Sequence, residues 1–86
     1  MPEEQIGKVT HYFGKVSVAG IDVTGEEVKV GDTIRISGHT TDFTQTIDSM
    51  QVDNQDVERA AAGDSIGIKV SDRVRPHDIV YRVLPD

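Results

Sequence analysis

Eighty-six residues suffice for one domain and leave no room for a separate catalytic one. Val (12), Ile (8) and Thr (7) together make 27 of them, against one Leu and four Ala. This excludes a helical bundle, because β-branched side chains suit a pleated surface while Leu and Ala are the residues helices use most. Nine basic against fifteen acidic residues give a net charge of −6, which argues against strong non-specific nucleic-acid binding but leaves room for a local basic face.

With no cysteine there is no disulfide framework, no thiolate metal site and no thiol nucleophile. No signal-like segment and no eighteen-residue apolar run interrupts the sequence, so a soluble, cytoplasmic protein without membrane contact is expected. At 36% hydrophobic and 28% charged residues of mixed sign, the chain can bury a small core, and one domain over residues 1–86, ordered from about 5 to 84, is expected.

Turn signals recur about every eight to twelve residues, the spacing of an antiparallel sandwich or barrel. A first strand is expected over Gln5–Phe13, ended by Gly14, and a second over Lys15–Asp22, where Val16 and Val18 alternate with Ser17 and Ala19. Val23–Asp32 holds Gly25 and Gly31 and reads as a loop, with Val28–Val30 pairing briefly at an edge. Thr33–Gly38 has Ile34 and Ile36 on one face and Thr33, Arg35 and Ser37 on the other, the period of a half-buried strand.

Thr41–Val52 reads as a longer strand whose apolar phase slips. Phe43 and Ile47 share one parity and Met50 and Val52 the other, so a bulge or a sheet-switching bend is expected. Asp53–Ala62 has helix-compatible residues but is too short for a stable helix, so at most one docked turn is expected there. Ser65–Val70 alternates again, Ser71–Asp78 is a loop containing Pro76, and Ile79–Leu84 is the last strand. Six or seven strands with no helix to cover a sheet face must cover themselves, and a small closed all-β antiparallel Greek-key barrel does this while removing exposed edges.

One echo runs through the chain. Val30-Gly31-Asp32-Thr33-Ile34-Arg35-Ile36 parallels Ala62-Gly63-Asp64-Ser65-Ile66-Gly67-Ile68: Gly-Asp, a hydroxyl residue, then an alternating pair of isoleucines. Gly supplies a positive φ, and Asp hydrogen-bonds nearby backbone amides. The run Val28–Gly38 resembles the second-domain β-barrel of translational GTPases, elongation factor Tu and its relatives, where a Lys-Val-Gly-Asp turn leads into a strand ending near glycine. Met50–Val52 followed by Val57–Ile68 resembles the same barrel's second signature, and Asp78–Val83 falls where its closing strand begins. The resemblance covers about Ile6 to Val83.

It implies that fold and, for this chain, a stand-alone translation elongation factor-like binding module contacting tRNA, ribosomal RNA or a translation-associated protein. Two features depart from the family. No Gly-x-x-x-x-Gly-Lys-Ser/Thr loop is present, so no nucleotide and no GTP hydrolysis are expected. The stretch Gly7–Val16 also lacks the family's Gly-x-Gly-x-Val run. Similar barrels occur as accessory C-terminal domains of collagenase-like peptidases, and an accessory protein-docking barrel serving such a partner is the alternative.

Candidate chemistry is sparse. His39 lies three residues before Asp42, and His77 precedes Asp78, but neither pair has a placed nucleophile, and two ligands without Cys or a third His make no metal site. No catalytic residue, metal or cofactor is therefore expected, and the chain is read as a non-enzyme. Asp42, Asp48, Asp53, Asp56, Glu58 and Asp64, with Arg59 among them, read as a solvated acidic face. The basic residues Lys69, Arg73, Arg75 and Arg82 fall within fourteen residues, next to Tyr81. Arg binds phosphates and carboxylates bidentately, and Tyr81, with Lys8, Tyr12 and Lys15 of the first hairpin, adds a stacking surface. The expected binding set is thus Lys69, Arg73, Arg75, Arg82 and Tyr81, set against the plainer reading in which the arginines pair with neighbouring Asp and the tyrosines are half-buried.

Overall fold

Every regular element among the described residues, 3–84 of a computed structural model, is a β-strand. In chain order they are β1 (Glu3–Phe13), β2 (Val18–Val23), β3 (Val28–Lys29), β4 (Thr33–Ser37), β5 (Asp42–Thr46), β6 (Met50–Val52), β7 (Gln55–Val57), β8 (Arg59–Ala60), β9 (Ser65–Lys69) and β10 (Ile79–Val83). The all-β reading of the composition holds. β4, β9 and β10 bury Ile34, Ile36, Ile66, Ile68 and Val80 with period two, and these meet Ile6, Val9, Ala19, Ile21 and Val23 from β1 and β2 in one apolar cluster.

The closed six- or seven-stranded barrel does not form. Eight strands hydrogen-bond in the order β5-β4-β10-β1-β2-β9-β6-β7, and β3 pairs with β8 in a separate two-stranded ladder. The ends of the long ladder, β5 and β7, do not pair with each other. The sheet nevertheless rolls, because residues 47–49 carry the chain from β5 at one end to β6 near the other, and the four steps from Thr46 to Met50 span at most about 14 Å. Along the resulting seam, β9 stops at Lys69 and an irregular segment takes over. The Gln45 side-chain amide, in place of backbone, donates to the Lys69 carbonyl at 2.8 Å and accepts from the Ser71 N–H at 2.7 Å.

The slip of phase in 41–52 is this sheet-switching bend. Ile47 leaves the β5 alternation and Met50 starts β6 opposite Ile68. The helical turn expected within Asp53–Ala62 is replaced by strands. Asp53 and Asn54 sit at φ of 52° and 64°, the left-handed pair of a two-residue hairpin turn, and β7 folds back on β6 with Val52 opposite Gln55. Asp and Asn tolerate this region better than other side-chain-bearing residues, and the hairpin satisfies backbone groups that a lone short helix leaves frayed. The second strand starts at Val18 instead of Lys15 because Gly14–Ser17 is the hairpin turn, with Val16 N–H donating to Phe13 O at 3.2 Å and Ser17 at φ 56°.

The two Gly-Asp echoes fold as one device, and a third copy appears where no glycine marks it. In Lys29–Asp32, Ala61–Asp64 and Arg75–Asp78 the fourth residue's N–H donates to the first residue's carbonyl at 3.1, 3.0 and 3.1 Å. The aspartate carboxylate accepts from the first residue's N–H at 3.0, 2.9 and 2.9 Å. The third residue has positive φ in each: Gly31 98°, Gly63 95° and His77 78°.

Each turn also grips one buried residue of another strand or bend by two backbone bonds. The third residue's N–H donates to Ile47, Val23 or Val9, and that same residue's N–H returns a bond to the aspartate carbonyl, all at 2.8–2.9 Å. The flanking pattern repeats as well. Val28, Ala60 and Val74 are buried before the turns, and Ile34, Ile66 and Val80 after them. Two residues further on stand Ile36, Ile68 and, breaking the pattern, Arg82.

Candidate functional site

The segment Lys69–Asp78 leaves β9 beside the open seam and returns as β10, and its conformation is set by its turn. Pro76 takes the second position and His77 the third, as in a type II turn. Asp78 is 4% exposed, its carboxylate is spent on the Arg75 N–H, and it packs so closely on Gly38 that a Cβ there would fall 1.8 Å from Oδ1. With Val74 buried on one side and Asp78 on the other, Arg73 and Arg75 project outward, and both side chains are exposed.

Three shallow depressions adjoin this segment. One of about 260 Å³ lies between Thr40–Phe43 and Asp72, Arg73 and Arg75. One of about 390 Å³ lies between Gln45–Ser49 and Lys69–Ser71. The third, of about 320 Å³, runs from Tyr12 and Ser17 of the first hairpin to Arg73. Beyond it the hairpin tip exposes Phe13 (50%) and Val16 (58%), with the His11 ring tilted against Phe13 at 4.4 Å.

The five sequence-expected binding residues divide into two groups. Lys69, Arg73 and Arg75 lie along one segment and form no salt bridge among the described residues. Arg82 lies elsewhere, three residues along β10 from its start, on the core-facing parity with Ile34 opposite. Its guanidinium pairs with Glu4, lies 3.5 Å from Glu26 and 3.6 Å from Asp32, and donates to the Glu27 carbonyl at 2.7 Å. Its side chain is 16% exposed, so it acts as an internal stopper at that end of the core. Tyr81 is half-buried on the outer face under Arg35, 6.0 Å from its ring centre.

That outer face carries an ion pair that sequence reading did not single out. Arg35 donates to Asp42 through Nε at 2.9 Å and through a second nitrogen at 3.4 Å, and to Glu3 at 2.9 Å. The Arg35 guanidinium, mainly by hydrogen bonding, holds the Asp42 carboxyl below its ordinary range. Arg35 was legible as the outward residue of β4, but its partners come from β5 and β1, contacts that no local spacing encodes. Gln45, which spans the seam, was equally invisible for that reason.

Among the described residues no side-chain hydrogen bond joins His39 to Asp42 or His77 to Asp78. Asp42 is engaged by Arg35 and Asp78 by its own turn. Among the described residues no three His, Asp or Glu side chains converge on a common metal position. Among the described residues no helix is long and apolar enough to cross a membrane.

Comparison with known proteins corrects the translation-factor resemblance. No family model matches the chain. Over 78 residues, 90% of the chain, it is 42% identical to an uncharacterised protease of Methanocaldococcus jannaschii and 37% identical to a collagenase of Porphyromonas gingivalis. It spans only about a fifth of these relatives, 19% and 22% of their lengths. The C-terminal domain of a putative U32 peptidase from Geobacillus thermoleovorans superposes with a TM-score of 0.87, covering 94% of this chain and 93% of that one at 19% identity. The selenomethionine variant of that domain gives 0.84 over 90% and 96%. The Gly-Asp turns therefore report a fold and not elongation factor kinship, since the same turn chemistry serves any strand entry that needs a positive φ and an aspartate clasp. The elongation factor-like function, with its tRNA or ribosomal RNA partner, falls with it. The sequence kinship of this chain is with proteins named as a protease and a collagenase.

Proposed function

We propose that this chain is an accessory, non-catalytic docking domain of a collagenase-like peptidase, holding a protein surface against the catalytic portion. The observation that carries this reading is the mismatch of lengths. Identity of 42% runs across 90% of this chain yet touches only 19% of the protease, so the shared part is a module and the bulk of the protease lies outside it. The absence of an assembled nucleophile–base pair in the described residues agrees with a supporting role. The free bases and the exposed hairpin tip provide the contact surface, Arg and aromatic side chains being favoured in interface centres.

Three proteins test it: the Methanocaldococcus protease intact, the protease lacking its matching 78-residue segment, and the protease with this chain in that segment's place. The expected outcome is that deletion lowers peptide-substrate turnover at least tenfold, that the chimera recovers most of it, and that this chain alone hydrolyses nothing. A deletion protein indistinguishable from the intact one would overturn the reading.

A further inference from the structure

The seam has the shape of a missing strand. β5 is the end of its sheet, and among the described residues its backbone ladder runs only to β4. Gly38 N–H donates to Thr41 O at 2.7 Å and Ile47 N–H to Asp32 O at 2.9 Å, which fixes the alternation of the ladder between them. Phe43 and Gln45 turn their backbone groups toward β4, while Asp42, Thr44 and Thr46 turn theirs outward into the seam, where among the described residues no backbone partner meets them.

Across the gap, the Lys69 carbonyl and the Ser71 N–H point back. The Gln45 side-chain amide offers them one donor and one acceptor, as the backbone of an intervening strand would. The amide reaches over from the less exposed face of β5, so it stands between that strand and the Lys69–Ser71 backbone. The depressions of about 260 and 390 Å³ lie along this lane on either side of Gln45.

Charge indicates the occupant. Lys69, Arg73 and Arg75 flank the lane unpaired, in a molecule whose net charge is −6. The acids there are partly spent. Asp42 is paired with Arg35, whereas Asp72, which accepts from the Arg73 N–H at 2.8 Å, and Asp48 keep their charge, so the three bases still outnumber the two acids along the lane. We propose that the seam between β5 and Lys69–Arg75 receives an extended, acidic segment of a protein partner, which pairs in strand fashion with the outward edge of β5. Backbone bonds give the affinity, and the three bases select carboxylates on alternate side chains. This rests on the docking role above and names where docking occurs and what chemistry it takes.

The test uses the full chain at neutral pH, with a labelled peptide of alternating Glu and Val and its Lys–Val counterpart, read by amide exchange and fluorescence anisotropy. The acidic peptide is expected to protect the amides of Asp42, Thr44 and Thr46, and to bind at least tenfold tighter than the basic one. Arg73→Glu with Arg75→Glu weakens it at least tenfold. Gln45→Ala, which vacates the lane, tightens it severalfold, an effect that electrostatic attraction to a surface would not give. No binding, equal binding of both peptides, or protection confined to residues outside the seam would overturn the proposal. So would protection of the same amides by self-association without peptide, since the lane would then belong to a second copy. The peptide result is independent of the chimera: a chimera that fails while the peptide binds removes the peptidase role and leaves the slot.

Discussion

His77 occupies, at φ 78°, the turn position that glycine holds in the two sister turns. A side chain there is strained, so His77→Gly should leave stability unchanged or raise it by up to about 1 kcal/mol, whereas the β-branched His77→Val should lose about 1–2 kcal/mol, both read from urea midpoints. At Arg82 the balance is electrostatic. Truncation to Ala leaves Glu4, Glu26 and Asp32 facing one another around an empty site, and a loss of about 2–3 kcal/mol is expected in the same measurement. Single residues also mark where reading the sequence stopped. Gly31 and Gly63 announced their turns because only glycine takes that backbone freely. The third turn stayed hidden because Pro76 and His77 build the same geometry without the tell-tale residue, and Arg82 looked like surface charge because alternation does not show that an inward lane can end in a ring of acids.

At the scale of elements, the three aspartate turns are the joints that place β4, β9 and β10. Removing one carboxylate by Asp64→Ala deletes one hydrogen bond to a backbone N–H and should cost about 1 kcal/mol, and Asp32→Ala should cost more because it also takes a carboxylate from beside Arg82. Asp78→Ala should cost more, because its carboxylate is buried and fills the space over Gly38. Across β4 and β5 the Arg35–Asp42 pair adds a dependence on pH. Asp42 titrates lower in the folded chain than in the unfolded one, so its contribution is complete above the ordinary carboxylate range and is lost as pH falls through the folded value. The difference in urea midpoint between the natural chain and Arg35→Gln should therefore be present at neutral pH and close on strong acidification. Strands with strict alternation, Thr33–Ser37 and Ser65–Lys69, were legible to within a residue. Residues 53–60 were not, since Ala, Glu and Arg suit a helix locally and only pairing with β6 and β3 decides for strand.

For the molecule as a whole, composition foretold an all-β chain and the need for the sheet to cover itself, but not that the last stage of covering would be left to a side chain. The kinship with proteins named as a protease and a collagenase was legible only as an alternative, because turn motifs identify a way of entering strands and carry no memory of what the surface touches. The −6 charge has become local: bases stand free along one seam while much of the acid is tied to Arg35, Arg82 and the turns.

The position of β10 has a consequence for how the chain acquires this form. Although it is the final strand in sequence, it lies between β4 and β1, near the middle of the ladder. A chain emerging N-terminus first therefore holds two half-sheets, linked by the 47–49 crossover, the β3–β8 ladder and the Gln45 amide, that no continuous ladder joins until residues 79–83 arrive. A fragment ending at Asp78 should stay unfolded by circular dichroism and fold when a synthetic peptide of residues 74–84 is added, as a keystone completes an arch whose two flanks cannot stand alone.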